Sequence, residues 1–240
     1  MRLTDFKALT FDCYGTLIDW ESGMSEALRP LTSRLAAPLS RDAVLEAHGR
    51  HEAAQEAATP TKLYRDLLPI VFKRLAEEWR VPASWAECEA YGRSVGDWPA
   101  FADSAPALAY LKRHYRLVIL SNVDNASFAR SNEKLGVAFD AIYTAEDIGS
   151  YKPADRNFEY MLSHLAELGI RREEVLHTAE SLFHDHVPAN RHGLASCWIH
   201  RRHGREGFGA TMNPGAMPRH DFRFESMAAL AEAHRREANG

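Results

Sequence analysis

Several polar residues in this 240-residue chain stand where an apolar run gives out. Ala8-Leu9-Thr10-Phe11 delivers Asp12, with Tyr14 two places on. Arg116-Leu117-Val118-Ile119-Leu120 delivers Ser121 and Asn122, and the run from Glu174 leads into HTAESLFHDH, which carries Glu180, His184 and Asp185. A carboxylate acts as a nucleophile by forming an ester that water later cleaves, dividing one difficult step into two easier ones. An acid at a strand end also serves as a helix cap or as half of an ion pair, so the residue type alone leaves these roles of Asp12 open. Tyr14 is a weak acid–base partner near neutrality, because a phenol has a pKa of about 10. Ser121 and Asn122 can donate to a substrate carboxylate or to Asp12, and the same pair is ordinary turn chemistry.

The runs ALTF (8–11), RLVILSN (116–122), EVLHTAE (174–180) and ASCWIH (195–200) predict strands, and helix-length material separates each from the next. That alternation predicts an α/β fold with a Rossmann-like parallel sheet and covering helices. Ligands of open α/β sheets bind at the carboxyl ends of the strands, so Asp12, Ser121 and the HTAESLFHDH segment are expected to converge on one crevice. Between the first two strands, about a hundred residues show apolar positions at helical spacing, punctuated by Pro38, Pro60, Pro82 and Pro99. They predict a helical cap domain inserted after the first strand, residues 18–98, over a core of residues 1–17 and 99–240. A lid there can close over a site and exclude water. SMAALAEAHRREA predicts a terminal amphipathic helix.

A net charge of -4 and a pI near 6.3 give no reason to expect nucleic acid or an anionic membrane as partner. No apolar run approaches the ~20 residues that cross a bilayer, and the N-terminus passes into a strand pattern without signal-peptide architecture. Cys13, Cys88 and Cys197 are odd in number and form no CxxC pair, which argues against a disulfide framework or a thiolate zinc site and fits a reducing cytoplasm. Neighbours on an extended chain face opposite ways, so Cys13 is expected to pack rather than react. His177, His184 and His186 lack zinc-ligand spacing. A homodimer is left open.

FDCYGTLID, LSNVD, SYKP and TAESLFHDHVPANRHG, in this order, resemble the four motifs of the haloacid dehalogenase-like hydrolase superfamily along the whole chain. The resemblance implies that Asp12 is the nucleophile and that Lys152 places an ammonium beside it, keeping it ionised as the ester forms and breaks. Phosphatases of the superfamily carry a second aspartate where Tyr14 stands here. The branch that lacks it, the L-2-haloacid dehalogenases, also begins D-x-Y-G-T, attacks carbon and needs no metal or other cofactor. That branch reads S-x-N-x-x-D in its fourth motif. Asp185 matches the final acid, but Glu180 and Leu182 replace the serine and asparagine, and Phe158 replaces a tyrosine after the lysine. Water activation must then be rebuilt, with Asp185 first, Glu180 second and His184 or His186 as candidates. Asp12, Glu180 and Asp185 keep a magnesium-dependent phosphatase as a trailing alternative.

A cap arginine meets the halide or carboxylate in dehalogenases, which points to Arg50, with Arg65 behind it. Trp20, Trp98, Pro99 and Phe101 flank the expected hinges, and Trp20 is a candidate for an apolar wall beside the substrate. DFKALTFDCYGTLIDWE, GSYKP, HTAESLFHDHVPAN and HRRHGREGFGAT look closer to the L-azetidine-2-carboxylate hydrolases than to ordinary dehalogenases. The expected partner is therefore a small carboxylic acid, and the expected reaction is ring opening of L-azetidine-2-carboxylate. An (S)-2-haloacid dehalogenase, including one for fluorinated acids, is the alternative. A binding protein without turnover is disfavoured by the joint presence of Asp12, Ser121, Lys152 and Asp185.

Overall fold

In the computed structural model, which describes residues 1–240, the first apolar run forms β1 (Ala8–Phe11), buried along its whole length. It lies between β2 (Arg116–Ser121) and β4 (Val175–Ala179) in a six-stranded sheet of order β3-β2-β1-β4-β5-β6, with β3 at Ala141–Thr144, β5 at Ala195–Ile199 and β6 at Phe222–Phe224. Every pairing is parallel. Near-continuous apolar runs suit such strands because helices cover both faces. Phe11 is in register with Ile119 on one side and Thr178 on the other, so Asp12, Ser121 and the residues after Ala179 leave the sheet at one edge. The strand order reverses between β1 and β4, which opens a crevice there.

Two strands, β3 and β6, escaped the sequence reading. Both lie at sheet edges, and their sequences AIYT and FRF are short and partly exposed, which leaves little apolar signal.

The segment between β1 and β2 is helical, as expected: α1 (Trp20–Ala27), α2 (Arg29–Thr32), α3 (Arg41–Ala58), α4 (Tyr64–Glu78) and α5 (Trp85–Arg93) precede α6 (Ser104–Leu111). Side-chain oxygens of Asp19, Ser40 and Ser84 cap α1, α3 and α5, each satisfying a backbone N–H that the helix leaves unpaired. The rest of the sheet is covered by α7 (Asn125–Leu135), α8 (Ala145–Ile148), α9 (Asp155–Glu167), α10 (Val187–Arg191) and the terminal α11 (Met227–Asn239).

On α3, His48, Glu52 and Glu56 recur every fourth residue, so they share one face, and that face is buried. Gly49 brings α3 against the long connection from β5 to β6, since a Cβ there would stand 2.2 Å from the Ala210 carbonyl oxygen. The same connection sends Arg202 to Glu21 on α1 (2.7 and 2.8 Å) and to Asp42 on α3 (2.8 Å). No helix is long and apolar enough to cross a membrane.

Candidate active site

β1 ends one residue before Asp12, whose backbone N–H still donates to the Thr178 carbonyl across the crevice. The turn that follows needs Gly15, with φ +95°, and packs Trp20 so close that a Cβ at position 15 would sit 2.9 Å from the indole nitrogen. Thr16 Oγ1 donates to Asp12 Oδ2 at 2.7 Å and accepts from the Glu180 backbone N–H at 2.9 Å, fixing the carboxylate between two strand ends.

Lys152 Nζ donates to Asp12 Oδ1 at 3.0 Å, to Asp185 Oδ1 at 2.7 Å and to the Leu120 carbonyl at 2.9 Å, which uses all three of its protons. Its backbone is held by Asn122, whose Oδ1 accepts from Lys152 N and whose Nδ2 donates to Lys152 O. His177 bridges Thr10 Oγ1 (2.8 Å) and Asp185 Oδ1 (2.9 Å), which orients the second carboxylate.

The two acids are unequal. Burial raises the Asp12 pKa, and the Lys152 charge only partly opposes it. Burial also acts on Asp185, but the closer Lys152 ammonium and the His177 hydrogen bond together hold that carboxyl well below the usual range. Burial works against the Lys152 charge as well, yet Asp12 and Asp185 keep its pKa raised. Asp185 is thus the fixed counter-ion, while Asp12 keeps the more basic oxygen. Cys13, buried beside it, has its thiol pushed well up by burial and is no nucleophile.

These groups floor a cavity of about 430 Å³. Two floor atoms are buried without a hydrogen-bond partner, Ser121 Oγ and Asp185 Oδ2. His184 lines one side; burial lowers its pKa to about 4, leaving a neutral imidazole at pH 7, next to Ser181. Tyr14 contributes its ring to the wall, but its hydroxyl turns away to Ser131 Oγ at 2.8 Å. The helices between β1 and β2 contribute Trp20, Glu52, Glu56 and Tyr64 to the cavity wall.

The structure thus gathers Asp12, Tyr14, Trp20, Ser121, Asn122, Lys152, His184 and Asp185 around one space. Two expected residues lie elsewhere. Arg50 points outward, with its side chain 56% exposed and paired to Glu78 at 2.9 Å, because its position on α3 falls off the buried face of Glu52 and Glu56. Glu180 faces a second cavity of about 390 Å³ beyond Trp20, lined by Arg201, Arg202 and Arg205. The turn after β4 anchors its backbone on Thr16, and the buried side chain enters that second cavity. Burial pushes the Glu180 carboxyl up to about 8. Arg65 donates to Asp124, and Phe158 is buried against His177.

Glu52, Glu56, Tyr64, His177 and Thr16 were missed. The four-residue spacing of His48, Glu52 and Glu56 was the available signal. No group of three or more His, Cys, Asp or Glu side chains is arranged to hold a metal ion. Lys152 stands between Asp12 and Asp185, and Glu180 faces another space, so the three acids do not form a magnesium cradle.

A family model for haloacid dehalogenase-like hydrolases matches residues 6–178. An (S)-2-haloacid dehalogenase of Pseudomonas sp. (strain YL) is 28% identical over 202 residues, spanning 81% of this chain and 83% of its own length. Among solved structures, a defluorinating L-2-haloacid dehalogenase is similar with a TM-score of 0.78 at 20% identity, covering 98% of this chain and 99% of that one. The L-2-haloacid dehalogenase of Xanthobacter autotrophicus, with chloropropionic acid covalently bound, gives a TM-score of 0.78 at 17% identity over 96% and 98% of the two chains. At such identities the structural likeness establishes the shared fold.

Proposed function

Because this chain belongs to the haloacid dehalogenase-like hydrolase family, we propose that it hydrolyses a small 2-substituted carboxylic acid through an ester on Asp12, and that the substrate is L-azetidine-2-carboxylate. The observation that carries the aspartyl-ester chemistry is the pair of unequal carboxylates on Lys152, with Asp12 opening into the cavity. In this reading residues 18–98 act as the cap domain over a core of residues 1–17 and 99–240. Three free, buried cysteines fit a cytoplasmic setting.

An Asp12 oxygen attacks the α-carbon from the side opposite the ring nitrogen, forming a C–O bond as the C–N bond breaks. The ring nitrogen enters as ammonium and takes the bonding pair, so it departs as a neutral amine rather than as an amide anion. Release of ring strain favours this step. Ser121 and Asn122 hold the substrate carboxylate, and Lys152 offsets the charge that returns to Asp12 when the ester is cleaved. Asp185 Oδ2, free of other partners, orients the water. Hydrolysis restores the Asp12 carboxylate and yields 4-amino-2-hydroxybutyrate with inverted configuration.

The cap side favours a ring amine as leaving group, since no arginine of the cap lines the cavity to meet a halide. Release of halide from (S)-2-haloacids is the second reading, favoured by the relative from Pseudomonas sp. (strain YL). Both share the attack by Asp12. Parallel incubation with L-azetidine-2-carboxylate, L-2-chloropropionate and p-nitrophenyl phosphate, each with and without EDTA, separates them by free amine, chloride or nitrophenol. The expected result is amine release unaffected by EDTA. Single turnover in heavy-oxygen water is expected to leave label in the Asp12 carboxyl group. Nitrophenol release that needs magnesium, with an unlabelled Asp12, would end this account.

A further inference from the structure

We propose that Glu52 and Glu56 form a cation-binding wall that receives the substrate's nitrogen, so that the pocket selects 2-substituted carboxylic acids bearing an ammonium over uncharged ones. This deepens the ring-opening reading and rests on it. Both side chains line the cavity from α3, one helical turn apart, and both are more than nine-tenths buried. Neither has a cation of its own. Glu52 accepts from the Tyr64 hydroxyl, and Glu56 has only a long 3.4 Å contact from Asn122 Nδ2. His48, beneath them, is kept neutral by burial, which lowers its pKa to about 3, and its Nδ1 has no hydrogen-bond partner. The cation lining the cavity, Lys152, is already committed to Asp12 and Asp185.

Two buried carboxylates without a counter-ion are costly to keep ionised. Burial raises both, Glu52 to about 7 and Glu56 well above the usual carboxylate range. Each group therefore resists ionising in the empty cavity, and a ligand ammonium supplies the counter-ion that lets it do so. The floor supplies the second, independent mark of a ligand: Ser121 Oγ is 2% exposed, lines the same cavity and has no partner. A free hydroxyl on the floor and carboxylates on the wall offer partners for the two charged ends of a zwitterion. When the C–N bond breaks, the departing neutral amine takes a proton from one of the two carboxyl groups and becomes ammonium, now paired with carboxylate. Ester hydrolysis releases one proton as Asp12 returns to its anion, and that proton restores the wall as product leaves.

Calorimetric titration of the wild-type protein with 4-amino-2-hydroxybutyrate and with 2-hydroxybutyrate tests this without turnover. One buried charge-assisted contact makes the aminated acid bind about tenfold tighter or more. In the E52Q/E56Q variant the preference is expected to shrink to about twofold or less, and Glu56→Asp is expected to keep part of it. Equal wild-type affinities, or a preference that survives in the double variant, would overturn the proposal. The two readings fail separately. A wild type that opens the azetidine ring without preferring the aminated ligand keeps the reaction and loses the wall; the reverse outcome keeps the wall and loses the reaction.

Discussion

Lys152 is buried with its protons divided between two carboxylates and a carbonyl, so its removal has consequences beyond lost catalysis. Lys152→Met leaves Asp12 and Asp185 buried together without a cation. Breaking one partner of a buried ion pair costs about 3–5 kcal/mol, and we expect a melting temperature lower by about 6 °C or more together with loss of turnover. A variant with wild-type melting and activity would show that Asp12 needs no counter-ion. Glu180 behaves differently. Its carboxyl titrates near 8 in the fold against about 4.5 in the unfolded chain. Below the unfolded value both states are protonated; as pH rises toward 8 the unfolded chain sheds its proton first, so stability is lost across that window. Glu180→Gln should therefore melt several degrees above wild type at pH 8, with the gap closing by pH 4.5, as thermal scans at the two pH values would show. The contrast also marks what single residues reveal. Asp12 was legible because an apolar run pointed at it, whereas the direction of Glu180 depends on how the turn after β4 hangs from Thr16, which no local pattern encodes.

Among the elements, α3 carries the heaviest constraint. One face bears buried polar groups, and Gly49 on the same helix touches the backbone at Ala210. Gly49→Val would drive a branched side chain into that carbonyl. Overpacking of this kind costs about 1–3 kcal/mol, so melting should fall by at least about 2 °C, and kcat/KM should fall with it because Glu52 and Glu56 move away from the floor. Unchanged melting and kinetics would show that the β5–β6 connection yields freely. Strands β1, β2, β4 and β5 could be read from the sequence because burial on both faces leaves short runs rich in apolar residues. The edges β3 and β6 could not, because Ile142 is exposed and Arg223 interrupts a three-residue strand. The inner face of α3 left only the faint signal of that four-residue spacing: alanines flank Glu52 and Glu56, and acids on a helix ordinarily face solvent.

At the scale of the whole molecule, the helices between β1 and β2 are tied to the rest by charge. Arg202 reaches Glu21 and Asp42, and Arg65 reaches Asp124. Arg202→Ala leaves the mostly buried Glu21 only Arg205, at 3.6 Å, and loosens α1. We expect slower turnover with a raised KM, and faster protease cleavage between residues 18 and 98; an unaltered digestion pattern would count against the tie. The order of the motifs and the strand-end rule disclosed this general plan, whereas the partners that lock it are far apart in sequence and leave no local trace. Trp20 borders both the chamber above Asp12 and the arginine-lined space behind it. A single indole ring is thus the partition between two rooms. Trimming it in Trp20→Ala would knock them through into one hall, where diacids too long for the front room could lodge their far end among guanidinium groups.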